Sequence, residues 1–151
     1  MAGVRNSVPS TAQDADPGAA AQWLPVRDGE DAWSVDEAIE LRQELESEVS
    51  RLKEELRASE VDLAGLMRDY GGGSGDDSAD TGGKVLEREQ ELTLTNNSRT
   101  LLAQSERALE RLDAQTYGLC ELCELPIGKL RLQAFPRATL CVSCKQKQER
   151  R

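Results

Sequence analysis

Cys120-Glu121-Leu122-Cys123, then seventeen residues, then Cys141-Val142-Ser143-Cys144: this stretch decides how the chain folds. Each pair sets two thiols with two residues between them, the spacing at which a tight turn can aim both sulfurs at one ion. Zinc is borderline soft and accepts four thiolates in tetrahedral geometry. With every position filled by protein, none remains open to activate a water. The pattern therefore predicts one structural Zn2+ per chain, held by Cys120, Cys123, Cys141 and Cys144 and closing a module over residues 117–151. That segment has too few apolar residues to fold unaided, and metal binding of about 10–16 kcal/mol in small zinc peptides is enough to supply its fold. Two disulfides would need an oxidising compartment, and residues 1–22 lack the basic-then-apolar order of a secretory signal. A dithiol redox centre would use a single C-x-x-C beside a βαβ pattern.

Moving back from the cysteines, Leu94, Ser98, Leu101/Leu102, Ser105, Ala108/Leu109 and Leu112 recur at helical spacing within a stretch from about Lys84 to Gln115. Before it, residues 71–83 hold six Gly and three Asp, a composition expected to break a helix and form a tip. Earlier still, Leu45, Val49, Leu52, Leu56, Ser59, Leu63 and Leu66 alternate steps of four and three, a coiled-coil seam with one polar position. Ser34 and Glu37 are placed to form a capping box, with Trp33 ahead of it as a hydrophobic staple. Two helices with one narrow apolar stripe each, joined by a short connection, fold back on each other. At 1.5 Å per residue the expected hairpin is roughly 45–50 Å long. Residues 1–32 mix Ala, Pro, Gly, Ser and Asp without periodicity and are expected to form a disordered tail. The fold class is thus mainly α: an antiparallel helical hairpin over residues 33–116, a four-cysteine zinc module over 117–151, and a tail. Tyr117 and Phe135 are expected to pack around that module.

Composition narrows the function. Aromatics make up 3% of the chain and charged residues 31%, which suits an elongated rod better than a large globular core. Of the net charge of −9, residues 34–83 carry −9 and residues 116–151 carry +4. An acidic surface repels phosphates, so direct sequence-specific DNA binding is not expected. The basic group Lys145, Lys147, Arg150 and Arg151 fits a solvated helix end. No apolar run reaches 18 residues, so no membrane span is expected and a cytoplasmic location is the default. There is no His, no open metal position and no phosphate-cradling loop between strand and helix, which argues against an enzyme.

Tyr117-Gly118-Leu119-Cys120-Glu121-Leu122-Cys123, Pro126-Ile127-Gly128-Lys129-Leu130-Arg131-Leu132 and Pro136-Arg137-Ala138-Thr139-Leu140-Cys141-Val142-Ser143-Cys144 resemble the DksA/TraR zinc-finger family. The resemblance implies a non-catalytic transcription regulator that binds RNA polymerase, its hairpin entering the secondary channel with an acidic tip near the active centre. The family's two tip acids, separated by two residues, fall on Asp77 and Asp80; Gly82 stands where an Ala follows in fully active members. Some members hold the alarmone ppGpp between hairpin and zinc module on basic side chains. The corresponding positions are Gln104, Phe135 and Lys145, of which only Lys145 is charged, so ppGpp binding is expected to be weak or absent. The resemblance leaves Lys145 as a possible contact. The competing reading is a zinc-stapled coiled-coil adaptor for another complex.

Overall fold

The computed structural model describes residues 16–71 and 78–150. A 3-10 turn at Pro17–Gln22 precedes four helices: α1 (Val35–Gly71), α2 (Ser78–Asp113), α3 (Lys129–Ala134) and α4 (Val142–Glu149). Among the described residues no strand forms; a single bridge joins Leu119 and Pro126.

α1 starts where its capping chemistry dictates. The Glu37 amide donates to Ser34 Oγ at 3.1 Å and the Ser34 amide to Glu37 Oε2 at 2.9 Å, so two otherwise orphaned donors are satisfied reciprocally. Trp33, 4% exposed, packs in one cluster with Ala38 on the first turn. Helices α1 and α2 run antiparallel. Arg42 pairs with Asp113 at 2.6 Å, Lys53 with Glu106 at 3.6 Å and Arg99 with Glu60 at 3.2 Å, matching early residues of one helix to late residues of the other. These exposed pairs fix register more than they add stability. The seam between them contains Leu45 and Leu52, each 1% exposed, while Val49, Leu56, Ser59, Leu63 and Leu66 are half-buried. Burial thins away from the base, as a stripe one residue wide allows.

Three expectations need correction. First, the α2 stripe departs from the expected one at its first position: Leu94 is 59% exposed and Thr95 is fully buried, whereas Ser105, Ala108 and Leu112 are buried where the pattern put them. The partner helix, not side-chain hydrophobicity, sets which position faces inward. Second, the helix begins at Ser78 rather than near Lys84, so residues 78–83 are helical and not part of a loop. Gly82 and Gly83 face open space, where a Cβ would meet nothing within 4 Å. A helical glycine costs roughly 0.5–1 kcal/mol, which a continuing helix can absorb. The helices are accordingly 37 and 36 residues long, about 55 Å. Third, residues 16–32 are ordered against the base of the rod. Leu24 is buried, and Ala20, Ala21, Trp23 and Val26 pack beside it. Small and proline-rich residues carry no period, yet they fit a shallow surface that is already formed.

The core is shared. Leu24 and Trp33 from the N-terminal strap, Ala38, Leu41 and Leu45 from α1, Ala108 and Leu112 from α2, and Tyr117, Cys120, Ile127, Leu132 and Cys144 from the zinc module form one buried cluster. Strap, rod base and module are therefore packed as one body.

Candidate metal centre and the groove beside it

α2 ends by turning into the first knuckle. The amides of Thr116 and Tyr117 donate to Arg111 O at 2.9 and 3.2 Å, with Gln115 at φ 59 making the reversal. Arg111 Nη2 reaches forward to Thr116 O at 3.2 Å and Leu119 O at 2.8 Å, so one guanidinium ties the helix end to the knuckle. Nothing in the sequence pattern marked that role. Within the knuckle the Cys120 amide donates to Leu125 O and the Glu124 amide to Cys120 O, both at 2.9 Å, and Glu124 takes a left-handed φ of 63. The second pair is set by a helix start. Cys141 is the N-cap of α4, its Sγ accepting the Cys144 amide at 3.5 Å. The Glu121 amide donates to Thr139 O at 2.9 Å and closes one half on the other.

The four Sγ atoms of Cys120, Cys123, Cys141 and Cys144 lie within 4.8 Å of one another, and those of Cys123 and Cys141 are 3.8 Å apart. A tetrahedron with Zn–S arms of about 2.3 Å has edges of about 3.8 Å, so the donor set fits one zinc ion. Electrostatics favour a cation there. Burial alone would raise the Cys120 thiol, but the amides of Cys123, Cys141 and Leu122 outweigh it and lower its pKa to about 6. Hydrogen bonding to Cys141, burial and the neighbouring Cys120 charge push Cys144 up to about 12. Four thiolates crowded together repel; a divalent cation removes that repulsion. Cys120 and Cys144 are buried, Cys141 is half-buried and Cys123 is exposed.

Tyr117 behaves as expected: it is buried, and its hydroxyl donates to Pro136 O at 2.7 Å. Phe135 does not. Its ring is 62% exposed, with the Arg131 guanidinium 5.9 Å from its centroid. It stands at an open groove of about 890 Å3 between hairpin and zinc module, and Gln104 and Lys145 line the same groove. The structure thus brings together the three positions singled out there. Sequence reasoning overlooked Arg107, Arg131 and Arg137 in the same walls, and equally Glu44, Glu48, Glu121 and Glu149. Most of these cations are already engaged: Arg107 with Glu121 at 2.7 Å, Arg137 with Glu48 at 3.7 Å, Lys145 with Glu149 at 3.8 Å. Asp77 lies outside the described residues. Asp80 falls in the first turns of α2, its side chain likewise outside them.

Known proteins place this geometry. Residues 115–150 match a family described as the prokaryotic dksA/traR C4-type zinc finger. The solved structure of transcription factor DksA2 from Pseudomonas aeruginosa is 33% identical and superposes with a TM-score of 0.60, covering 73% of this chain and 81% of that one. The chain belongs to the DksA/TraR zinc-finger family. Within it, the RNA polymerase-binding transcription factor DksA of Caulobacter vibrioides is 37% identical over 75 residues, 50% of this chain and 53% of that protein. The Escherichia coli K12 protein of the same name is 35% identical over 69 residues, 46% of each chain. This DksA/TraR chain therefore spans about half the length of the curated relatives it matches, whereas its likeness to DksA2 extends over the rod as well as the zinc module.

Proposed function

We propose that this chain is a non-catalytic transcription regulator that binds RNA polymerase and inserts its hairpin into the secondary channel. The observation that carries the reading is a rod about 55 Å long on a metal-stapled base, in a chain akin to proteins named RNA polymerase-binding transcription factors. No described helix is long and apolar enough to cross a membrane.

In this reading affinity comes from the rod and base, and the effect on transcription from Asp77 and Asp80. A few charges near a basic, metal-bearing centre act strongly where the dielectric is low. Asp77→Asn combined with Asp80→Asn should leave competition with labelled wild type for core polymerase nearly unchanged, while abolishing most of the change in promoter-complex lifetime. A double variant that still shifts that lifetime would reduce the tip to a solubilising turn. Failure of the wild type to bind core polymerase, with and without a known occupant of the channel, would leave the adaptor reading.

The groove at the base supports a companion proposal: ppGpp adds little to this regulator. Four cations and four carboxylates line the groove, so its net charge is near zero, and Phe135 supplies no charge at its mouth. Equilibrium dialysis should find ppGpp binding weaker than millimolar for the free chain. Micromolar, salt-sensitive binding lost in Lys145→Ala would overturn it.

A further inference from the structure

Amides from two distant segments converge on one carboxylate at the base of the rod. Glu30 Oε1 accepts the Arg27 amide at 2.8 Å and the Lys129 amide at 3.1 Å, and Oε2 accepts the Leu130 amide at 3.2 Å. The N-cap of α3 is Gly128, which has no side chain to offer, so a carboxylate about a hundred positions earlier in sequence satisfies those donors. Lys129 returns the contact. Its ammonium donates to Ala32 O at 3.2 Å, pairs with Glu37 at 2.6 Å and lies 5.9 Å from the Trp33 ring centroid. Glu37 is also the carboxylate of the α1 capping box, so the zinc module reaches into the first turn of the rod.

Backbone contact reinforces these polar ones. Gly118 and Gly128 flank the first knuckle with φ of 93 and 114. A Cβ at Gly118 would come within 2.9 Å of Pro25 Cγ, and one at Gly128 within 3.0 Å of Arg27 Cδ. The strap lies directly on module backbone at both points. Every partner named here in residues 118–130 belongs to the module that carries the four cysteines.

We propose that residues 23–34 form a metal-gated clasp, docking only on the surface that the zinc-filled module presents, so that loss of the ion frees them together with the first turn of α1. The ion's occupancy is thereby transmitted to a segment that touches no ligand. The 3-10 turn before the clasp rests on α1 instead, Gly18 lying beside Val35 and Ile39, so the rod alone offers a rival anchor that the test must separate.

Hydrogen exchange on the full reduced chain, followed by mass spectrometry, makes that separation. The amides of Arg27, Glu30 and Ser34 are the reporters, since each donates within the clasp or its cap. With zinc they should be protected. After chelation, and in Cys141→Ser, their protection should fall at least tenfold along with that of 118–145, while α1 from 44 to 60 stays protected. Reporters that remain protected while 118–145 exchanges freely would show that the rod anchors the strap and would overturn the proposal. So would a module that keeps its protection without the ion. A second variant tests the lock with the module intact. Glu30→Gln, confirmed to retain one zinc, should exchange roughly tenfold faster at Arg27, Lys129 and Leu130, the scale of a lost charge-assisted hydrogen bond. No change in that variant would remove Glu30 from the mechanism.

Discussion

Tyr117 carries more than its place beside the cysteines announced. Its ring fills the shared core and its hydroxyl reaches Pro136 O, so the phenol is removed from water. Burial pushes its pKa well above the ordinary value of 10.0, against the lowering effect of the nearby Arg111 charge. A tyrosine raised in the folded state contributes stability that is complete below its unfolded pKa and is lost as pH rises past it. The base of the molecule should therefore weaken above about pH 10. The chain has two tyrosines, Tyr70 and Tyr117. Alkaline titration of phenolate absorbance should show a step that appears only as the base unfolds, and Tyr117→Phe should delete that step. A single normal step in the wild type would contradict the burial argument. The cysteines were legible as residues because ligand spacing is local. Phe135 was not, because whether a ring beside a metal module faces the core depends on the helix that carries it.

Among the elements, α2 is the one whose sequence pattern misleads. Its residues 93–100 read Thr-Leu-Thr-Asn-Asn-Ser-Arg-Thr, and Thr93 and Thr100 turn their hydroxyls back on Glu89 O and Asn96 O at 3.0 and 3.1 Å. Thr95, fully buried, has no partner for its own hydroxyl. An orphaned buried hydroxyl costs about 1–3 kcal/mol, so Thr95→Val should stabilise the rod by about 1 kcal/mol. Urea unfolding followed by helical circular dichroism would register this as a higher midpoint at constant slope. A lower midpoint would mean that the hydroxyl has a partner in solution. The stripe of α1 was readable because its leucines leave one phase open. Leu94 and Thr95 sit side by side, and an isolated helix cannot say which of two neighbours its partner will cover. The capping box needed no partner, and the sequence located it to the residue.

For the whole molecule, hairpin and zinc module could be read from periodicity and ligand spacing, whereas the ordered strap could not. Residues 16–32 acquire their structure from a surface assembled out of three other segments, and no local pattern encodes that. The clearest hint is that both tryptophans, Trp23 and Trp33, lie in or beside this stretch, although only Trp33 has a local role in the pattern, as a staple. Metal content tests the assembly at this scale. One zinc per chain should be recovered, and cobalt in its place should give the intense thiolate charge-transfer bands of a tetrahedral four-sulfur site. Cys141→Ser should lose those bands and the order of 117–150 while α1 and α2 keep most of their helix. A metal-free wild type with an unchanged spectrum would contradict the structural role. Because the helices run antiparallel, the strap and α4 lie at the same end of the rod. Tension applied between residues 16 and 150 would therefore load the molecule as a zipper and not as a cable. The base would yield first, and the helices would then separate rung by rung, from Arg42–Asp113 to Glu60–Arg99, each step small even though the complete rod is long.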